Sequence, residues 1–292
     1  MSDLGVSIAL ATFSLAVVLT YLVRVALSGR ARHARCEADG GSLFLGKSVM
    51  EMGYWIFSPV ASWLARLGIT ADGITSFALV PGLGAGIAAA TGHLGAACAL
   101  GATAALCDLL DGLVARETGG PSKAGELLDA TVDRYVESFL LGGLAIHFRD
   151  NGVVLSLALL ALLGSFMVSY GSARIPLLGL SAPRGFMRRA ERAVFVLVPC
   201  GLTPFFSNWL MAGHREMWLR EWPVVAGLAI VAAGANLSAA QRLRASRLRL
   251  TGQSAAQSDP RSAPRQSMPV EEPRDHAEGA DLSHGQAPAR TR

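Results

Sequence analysis

The segment Cys107–Tyr135, "CDLLDGLVARETGGPSKAGELLDATVDRY", sets four aspartates inside or beside runs apolar enough to lie in a membrane. Asp108 and Asp111 are three residues apart and Asp129 and Asp133 four apart, so on helices each pair projects from one face. Between the pairs, Gly119, Gly120 and Pro121 supply turn chemistry. The spacing predicts two antiparallel helices whose acidic ends lie side by side, with four carboxylates converging near one membrane boundary. Such a cluster is unfavourable alone, because like charges in a poorly hydrated site repel and charge burial is costly. A divalent cation removes the conflict. Oxygen-only ligands favour a hard ion such as magnesium, manganese or calcium, and magnesium typically binds a few carboxylates together with substrate phosphates. The pattern therefore points to phosphate chemistry.

The rest of the chain has the composition of a membrane protein. Of 292 residues 51% are hydrophobic and only 16% charged, and the mean hydropathy is +0.39, more apolar content than a soluble domain usually hides. A spanning helix needs roughly 20 mostly apolar residues. Windows at Val6–Val23, 73–91, 94–114, 125–147, 152–172, 190–207 and 222–241 predict seven spans and an all-α, polytopic fold. The first window lacks a small-residue cleavage site and is followed by Arg24, Arg30, Arg32 and Arg35, which marks a retained anchor. Basic residues gather after Val23, Arg116, Arg174 and Gln241, and the alternate connections are short or charge-balanced. That asymmetry predicts an outside N-terminus, a cytoplasmic C-terminus and an acidic cluster facing the cytoplasm. The net charge of +4 is explained by this topology, so nucleic acid is not an expected partner. Cys36, Cys98, Cys107 and Cys200 have no paired metal-ligand spacing and read as reduced packing residues.

Four regions follow. Residues 1–46 form the N-terminal anchor and a cytoplasmic linker, and 72–249 the catalytic membrane domain. Between them, 47–71 is an interfacial amphipathic segment in which Met50, Tyr54, Phe57, Val60, Ala61 and Leu64 recur at helical spacing, with Pro59 expected to kink or split it. Asp72 is the expected N-cap of the next span, and Pro81-Gly82 predicts a bend within that span. Residues 250–292, rich in Ser, Pro, Gln and charge, read as a disordered tail.

The fixed positions D-x-x-D-G-x-x-A-R, an eight-residue spacer Glu117–Ala124, then G-x-x-x-D-x-x-x-D resemble the signature of the CDP-alcohol phosphatidyltransferases. The resemblance implies a six-helix membrane bundle, here with one extra N-terminal transmembrane helix, often homodimeric. It also implies a cytosol-facing cavity for a CDP-linked lipid, in the inner membrane if the source is bacterial. It makes Asp108, Asp111 and Asp129 ligands of Mg2+ or Mn2+, with Asp133 contributing to the metal site and serving as general base. Asp108, Gly112, Ala115, Arg116 and Gly125 would line the CDP site, where Thr118 and Ser122 are positioned to add donors. The implied activity is phospholipid synthesis: transfer of a phosphatidyl or similar group to an alcohol with release of CMP.

For the acceptor, Arg174, Arg188 and Arg192 are the candidate binding residues, although topology alone also places basic residues there. The region resembles the phosphatidylinositol-phosphate synthase branch of the family. Those relatives often carry a second arginine and a glutamate around Arg174, and this chain has Ser172 and Pro176 instead. Inositol phosphate, glycerol phosphate and an uncharged alcohol stay open. Two other classes compete: an intramembrane prenyltransferase using diphosphate, and an ion-coupled transporter. Gly-x-x-Ala-Arg after the first aspartate pair favours the phosphotransferase. Glu137, one turn beyond Asp133, is expected to pair with Arg134.

Overall fold

The structure, a computed structural model, describes residues 2–28, 47–180, 186–209 and 217–258, and these are entirely helix, turn and short connection. Cys36, His33, Arg184 and the segment after Ser258 lie outside the described residues. Helix α1 spans Asp3–Ser28, α2 Lys47–Arg66, α3 Ala71–Phe77, α4 Leu79–Ala90, α5 Leu94–Glu117 and α6 Lys123–His147. After these come α7 Gly152–Arg174, a single 3-10 turn at Pro176–Leu178, α8 Arg189–Trp209, the short α9 Met217–Arg220 and α10 Trp222–Ser258. The compact bundle comprises Met1–Arg249, and Leu250–Arg292 form a separate unit whose described part is helical.

Among the described residues, six segments are long and apolar enough to cross a membrane: Asp3–Leu27, Ala71–Ala90, Leu94–Glu117, Gly152–Leu178, Arg189–Asn208 and Trp222–Thr251. Helix α6, the seventh expected span, is not among them. Its first fifteen residues carry Lys123, Glu126, Asp129, Asp133, Arg134 and Glu137, which depress its hydropathy. At 25 residues it is nonetheless long enough to span. It packs against α4 and α7, with Asp133 buried and Asp129, Arg134 and Glu137 half-buried, while Lys123 and Glu126 are exposed at its start. The protein is therefore a multi-pass membrane protein. Large apolar side chains on α7 such as Leu159, Leu163 and Phe166 are exposed, as a lipid-facing surface requires.

The expected bend near Pro81 appears as a break. The span divides at Ala78 into α3 and α4, placing Pro81 in the first turn of α4. Proline there lacks only an amide that has no helical partner, and its ring would clash with the carbonyl four residues back. Of the kink or split expected at Pro59, the split does not occur: α2 runs as one helix from Lys47 to Arg66 with Pro59 inside it. Asp72 is not the N-cap of α3. Thr70 holds that position, its hydroxyl accepting from the Gly73 amide at 3.2 Å, which leaves the Asp72 carboxylate free to face a cleft described below.

Glycines set how closely the helices approach. A Cβ on Gly86 of α4 would lie 2.5 Å from the Phe139 carbonyl oxygen of α6, and one on Gly143 would collide with the Gly86 backbone. Helix α4 therefore packs backbone to backbone against α6 and also contacts α5. The apolar core gathers around Leu94 of α5, Leu144 and Phe148 at the end of α6, and Val224, Leu228 and Val231 of α10. The anchor is docked rather than loose: the Asp3 carboxylate accepts from the Gly95 and Ala96 amides, each at 3.0 Å, satisfying the start of α5. Cys98, Cys107 and Cys200 are buried free thiols, in keeping with a packing role.

Candidate active site

The turn that joins α5 to α6 is built to bring their acidic ends together. The Thr118 amide donates to the Val114 carbonyl at 3.0 Å and the Gly120 amide to the Ala115 carbonyl at 2.8 Å, closing α5 in a Schellman-type turn. Gly119 and Gly120 have φ of 116° and 99°, a region that side chains resist. Ser122 then caps α6, its hydroxyl accepting from the Gly125 amide at 2.9 Å.

This geometry brings together carboxylate oxygens of Asp108, Asp111 and Asp129, all within 4.8 Å of one another. Oδ2 of the buried Asp111 accepts from the Thr75 hydroxyl at 2.6 Å. Oδ1 of Asp129 is buried with no hydrogen-bond partner, a costly state for a carboxylate oxygen. Three converging carboxylates, one of which carries an orphaned oxygen, fit a divalent cation of the magnesium or manganese type.

Asp133, one turn beyond Asp129 and 8% exposed, stands outside that triad. Its Oδ1 binds Nη2 of Arg189 at 2.5 Å, and its Oδ2 lies 3.7 Å from Nη1 of Arg134. The same Arg189 donates through Nη1 to Oδ1 of Asp108 at 2.6 Å. One guanidinium from α8 thus ties α5 to α6.

Glu137 does not pair with Arg134, as the sequence had suggested. It receives Nε of Arg192 at 2.7 Å and Nη2 at 3.0 Å, a bidentate fork from α8. Arg192 is 2% exposed, and a guanidinium so deeply buried demands a carboxylate more strongly than the half-exposed Arg134 does.

Two cavities adjoin the acids. An open cleft of about 250 Å³ is lined by Gly112, Ala115, Thr118, Ser122 and Gly125, together with Asp111 and Asp129. Gly125 matters for space: a Cβ there would lie 3.0 Å from Oδ1 of Asp72 and 3.1 Å from the Ser122 hydroxyl. Arg116 is exposed and stacks over the Tyr54 ring at 5.6 Å, beside Gly112 rather than on the cleft wall. Sequence reasoning missed Asp72, Thr75 and Glu126 as cleft residues. The second cavity, about 60 Å³, is mainly apolar and carries Asp133, Glu137, Arg189 and Arg192 on its wall.

Of the candidate acceptor residues, Arg174 is exposed at the end of α7 and Arg192 is committed to Glu137. Arg188 is half-buried, its amide donating to Oε2 of Glu191 at 2.8 Å. A residue not foreseen is Arg242 of α10. It is buried, donates through Nη1 to the Ser172 hydroxyl at 2.6 Å, and has an Nε with no partner. The signal was faint, one arginine among several at the end of a long helix.

A sequence model of the CDP-alcohol phosphatidyltransferase family matches residues 68–235, which hold the acid cluster, both cavities and most of the bundle. The chain belongs to this family. Its members transfer phosphatidyl groups, and this chain is accordingly a transferase of substituted phosphate groups rather than of prenyl groups, and not an ion carrier. Phosphatidylinositol phosphate synthase of Mycobacterium tuberculosis is 37% identical over 174 residues, covering 56% of this chain and 78% of the relative. The Corynebacterium glutamicum enzyme of that name is 35% identical over 155 residues, covering 51% and 70%. Among solved structures, the M. tuberculosis enzyme with CDP-DAG bound superposes with a TM-score of 0.57 at 29% identity, covering 65% of this chain and 93% of that one. The same enzyme in complex with manganese and citrate gives 0.57 at 27%, covering 65% and 88%. The all-α bundle of this chain is the fold of that enzyme, and α1 precedes the residues that the family model matches.

Proposed function

We propose that the protein transfers the phosphatidyl group of a CDP-linked diacylglycerol to a phosphorylated alcohol, of which inositol phosphate is the foremost candidate, releasing CMP. The carrying observation is the convergence of Asp108, Asp111 and Asp129 beside a cleft lined by Gly112 and Gly125. These three aspartates would hold Mg2+ or Mn2+. The cation, when bound, supplies charge neutralisation for a diphosphate.

The chain's own groups account for the rest. The CDP moiety occupies the cleft, where the Ser122 hydroxyl offers a donor, the Thr118 hydroxyl, its proton held by the Val114 carbonyl, offers an acceptor, and Arg116 beside Gly112 supplies a cation for phosphate charge. Asp133 takes the proton of the acceptor hydroxyl. The acceptor oxygen then forms a bond to the lipid-side phosphorus, the bond from that phosphorus to the oxygen of the CMP phosphate breaks, and CMP departs with the electron pair. No covalent residue is required, since positioning and charge stabilisation suffice for phosphoryl chemistry.

An anionic acceptor is favoured by Arg242. A buried guanidinium with an unsatisfied Nε is stabilised by an anion, and Ser172 beside it adds a hydroxyl. Arg174 and Arg188 would steer the acceptor toward it. The basic loops support a site facing the cytoplasm, in the inner membrane of a bacterium, and family resemblance supports a homodimer. Purified protein given CDP-diacylglycerol, Mn2+ and separately inositol phosphate, glycerol phosphate or free inositol, scored by CMP formation, tests the reading. Release with inositol phosphate alone is the expected result, and release with free inositol alone would refute the anionic acceptor. The mass of the protein in detergent reports the dimer.

A further inference from the structure

The position of Arg189 has a physical consequence for how the acid cluster is loaded. Its guanidinium is delivered by a fixed scaffold rather than a loose surface chain. The start of α8 is pinned by Glu191, which accepts from the Arg188 amide at 2.8 Å, and by Nη1 of Arg192, which donates to the Met187 carbonyl at 3.2 Å. Ser238 of α10 adds a bond from its hydroxyl to the Phe186 carbonyl at 2.7 Å. Met187, the only described non-glycine residue with positive φ, at 64°, is buried within this pin. A backbone held in that region needs surrounding contacts to persist.

Held in this way, Arg189 reaches Asp108 on α5 and Asp133 on α6 at once. It compensates two of the four acids and leaves Oδ1 of Asp129 without a partner. Asp108 is the shared group, because it belongs both to the Arg189 fork and to the triad that fits a cation. A guanidinium hydrogen-bonded to one ligand carboxylate repels a cation arriving at that carboxylate.

We propose that Arg189 is the internal counter-ion of the metal-free site: it keeps α5 and α6 assembled before loading and competes with the divalent cation for Asp108. This rests on the metal reading above and gives Arg189 a positioning role. The metal-free protein is stabilised by the fork, and the intrinsic affinity for the cation is set below what the carboxylate triad alone would give.

The test uses full-length protein in detergent, stripped with EDTA, with Mn2+ binding followed by electron paramagnetic resonance and thermal midpoints taken in EDTA and in saturating Mn2+. Arg189→Gln is expected to bind Mn2+ roughly tenfold more tightly than the unaltered protein, on the scale of one screened charge pair. Its midpoint should fall in EDTA and return close to the unaltered value in Mn2+. Arg189→Lys, which keeps the charge but cannot fork, should shift both readings in the same direction and by less, and it carries the test if the glutamine variant does not fold. Equal or weaker Mn2+ binding by the variants, or an equal loss of midpoint with and without Mn2+, overturns the proposal. No Mn2+ binding by the unaltered protein overturns the metal reading itself.

Discussion

The hydroxyl of Thr75 donates to Oδ2 of Asp111 across 2.6 Å, joining the short α3 to the acid-bearing end of α5. Both residues are buried, so the bond fixes one carboxylate oxygen and leaves the other to face the cluster. Thr75→Val keeps the shape and removes the donor. A buried hydrogen bond to a charged group is worth about 1.5–3 kcal/mol. The variant is expected to lose Mn2+ affinity by roughly tenfold or more, whereas Thr75→Ser restores it. Mn2+ titration of the two variants checks this.

Asp133→Asn should retain Mn2+ and CDP binding while CMP release falls by about 10²–10⁴-fold, the usual size of a general-base contribution. Asp133 stands outside the triad of converging oxygens, so removing its charge spares the cation's nearest ligands. Binding measured by calorimetry beside turnover separates the two effects. Full turnover by the variant would remove the base assignment.

Two glycines should respond in opposite ways. Gly86→Ala forces a methyl against the Phe139 backbone and is expected to cost about 1–3 kcal/mol, seen as a lower thermal midpoint and poor yield. Gly125→Ala meets only the ends of Asp72 and Ser122 and should fold normally. There the methyl narrows the cleft, so the KM for the CDP-linked donor is expected to rise with little change in midpoint.

Asp3→Ala frees two amides at the start of α5 and should cost about 1 kcal/mol, the usual worth of an N-terminal cap. In a chain of this size that is about 2–4 °C of midpoint. Turnover per folded molecule should stay unchanged, because Asp3 lies at the opposite end of α5 from Asp108. Differential scanning fluorimetry alongside CMP release distinguishes a stability effect from a catalytic one.

What the sequence makes legible is what lies within one helix or one turn. The i, i+3 and i, i+4 spacing of the aspartates, the Gly119-Gly120 turn and the apolar windows are local patterns, and the fold reproduces them. Partners that cross between helices are another matter. Glu137 has Arg134 three residues before it, yet the pairing is decided by the burial of Arg192 on α8. The contact of Arg189 with Asp108, 81 residues away, depends on how α8 enters the bundle and has no sequence period to announce it. Asp72 read as a cap because capping chemistry favours it, but Thr70 offers an equivalent oxygen two residues earlier. The wedge of α4 against α6 follows from Gly86 and Gly143, which could have served any close approach.

The five residues from Thr118 to Ser122 work as a ruler. Their length and two left-handed glycines set how closely the acidic ends of α5 and α6 approach, so a longer connection would let Asp129 stand further from Asp111. Surface connections in most proteins tolerate extra length at little thermodynamic penalty. This one should not, and a peptide inserted there would separate the halves of the reaction centre without unfolding either helix.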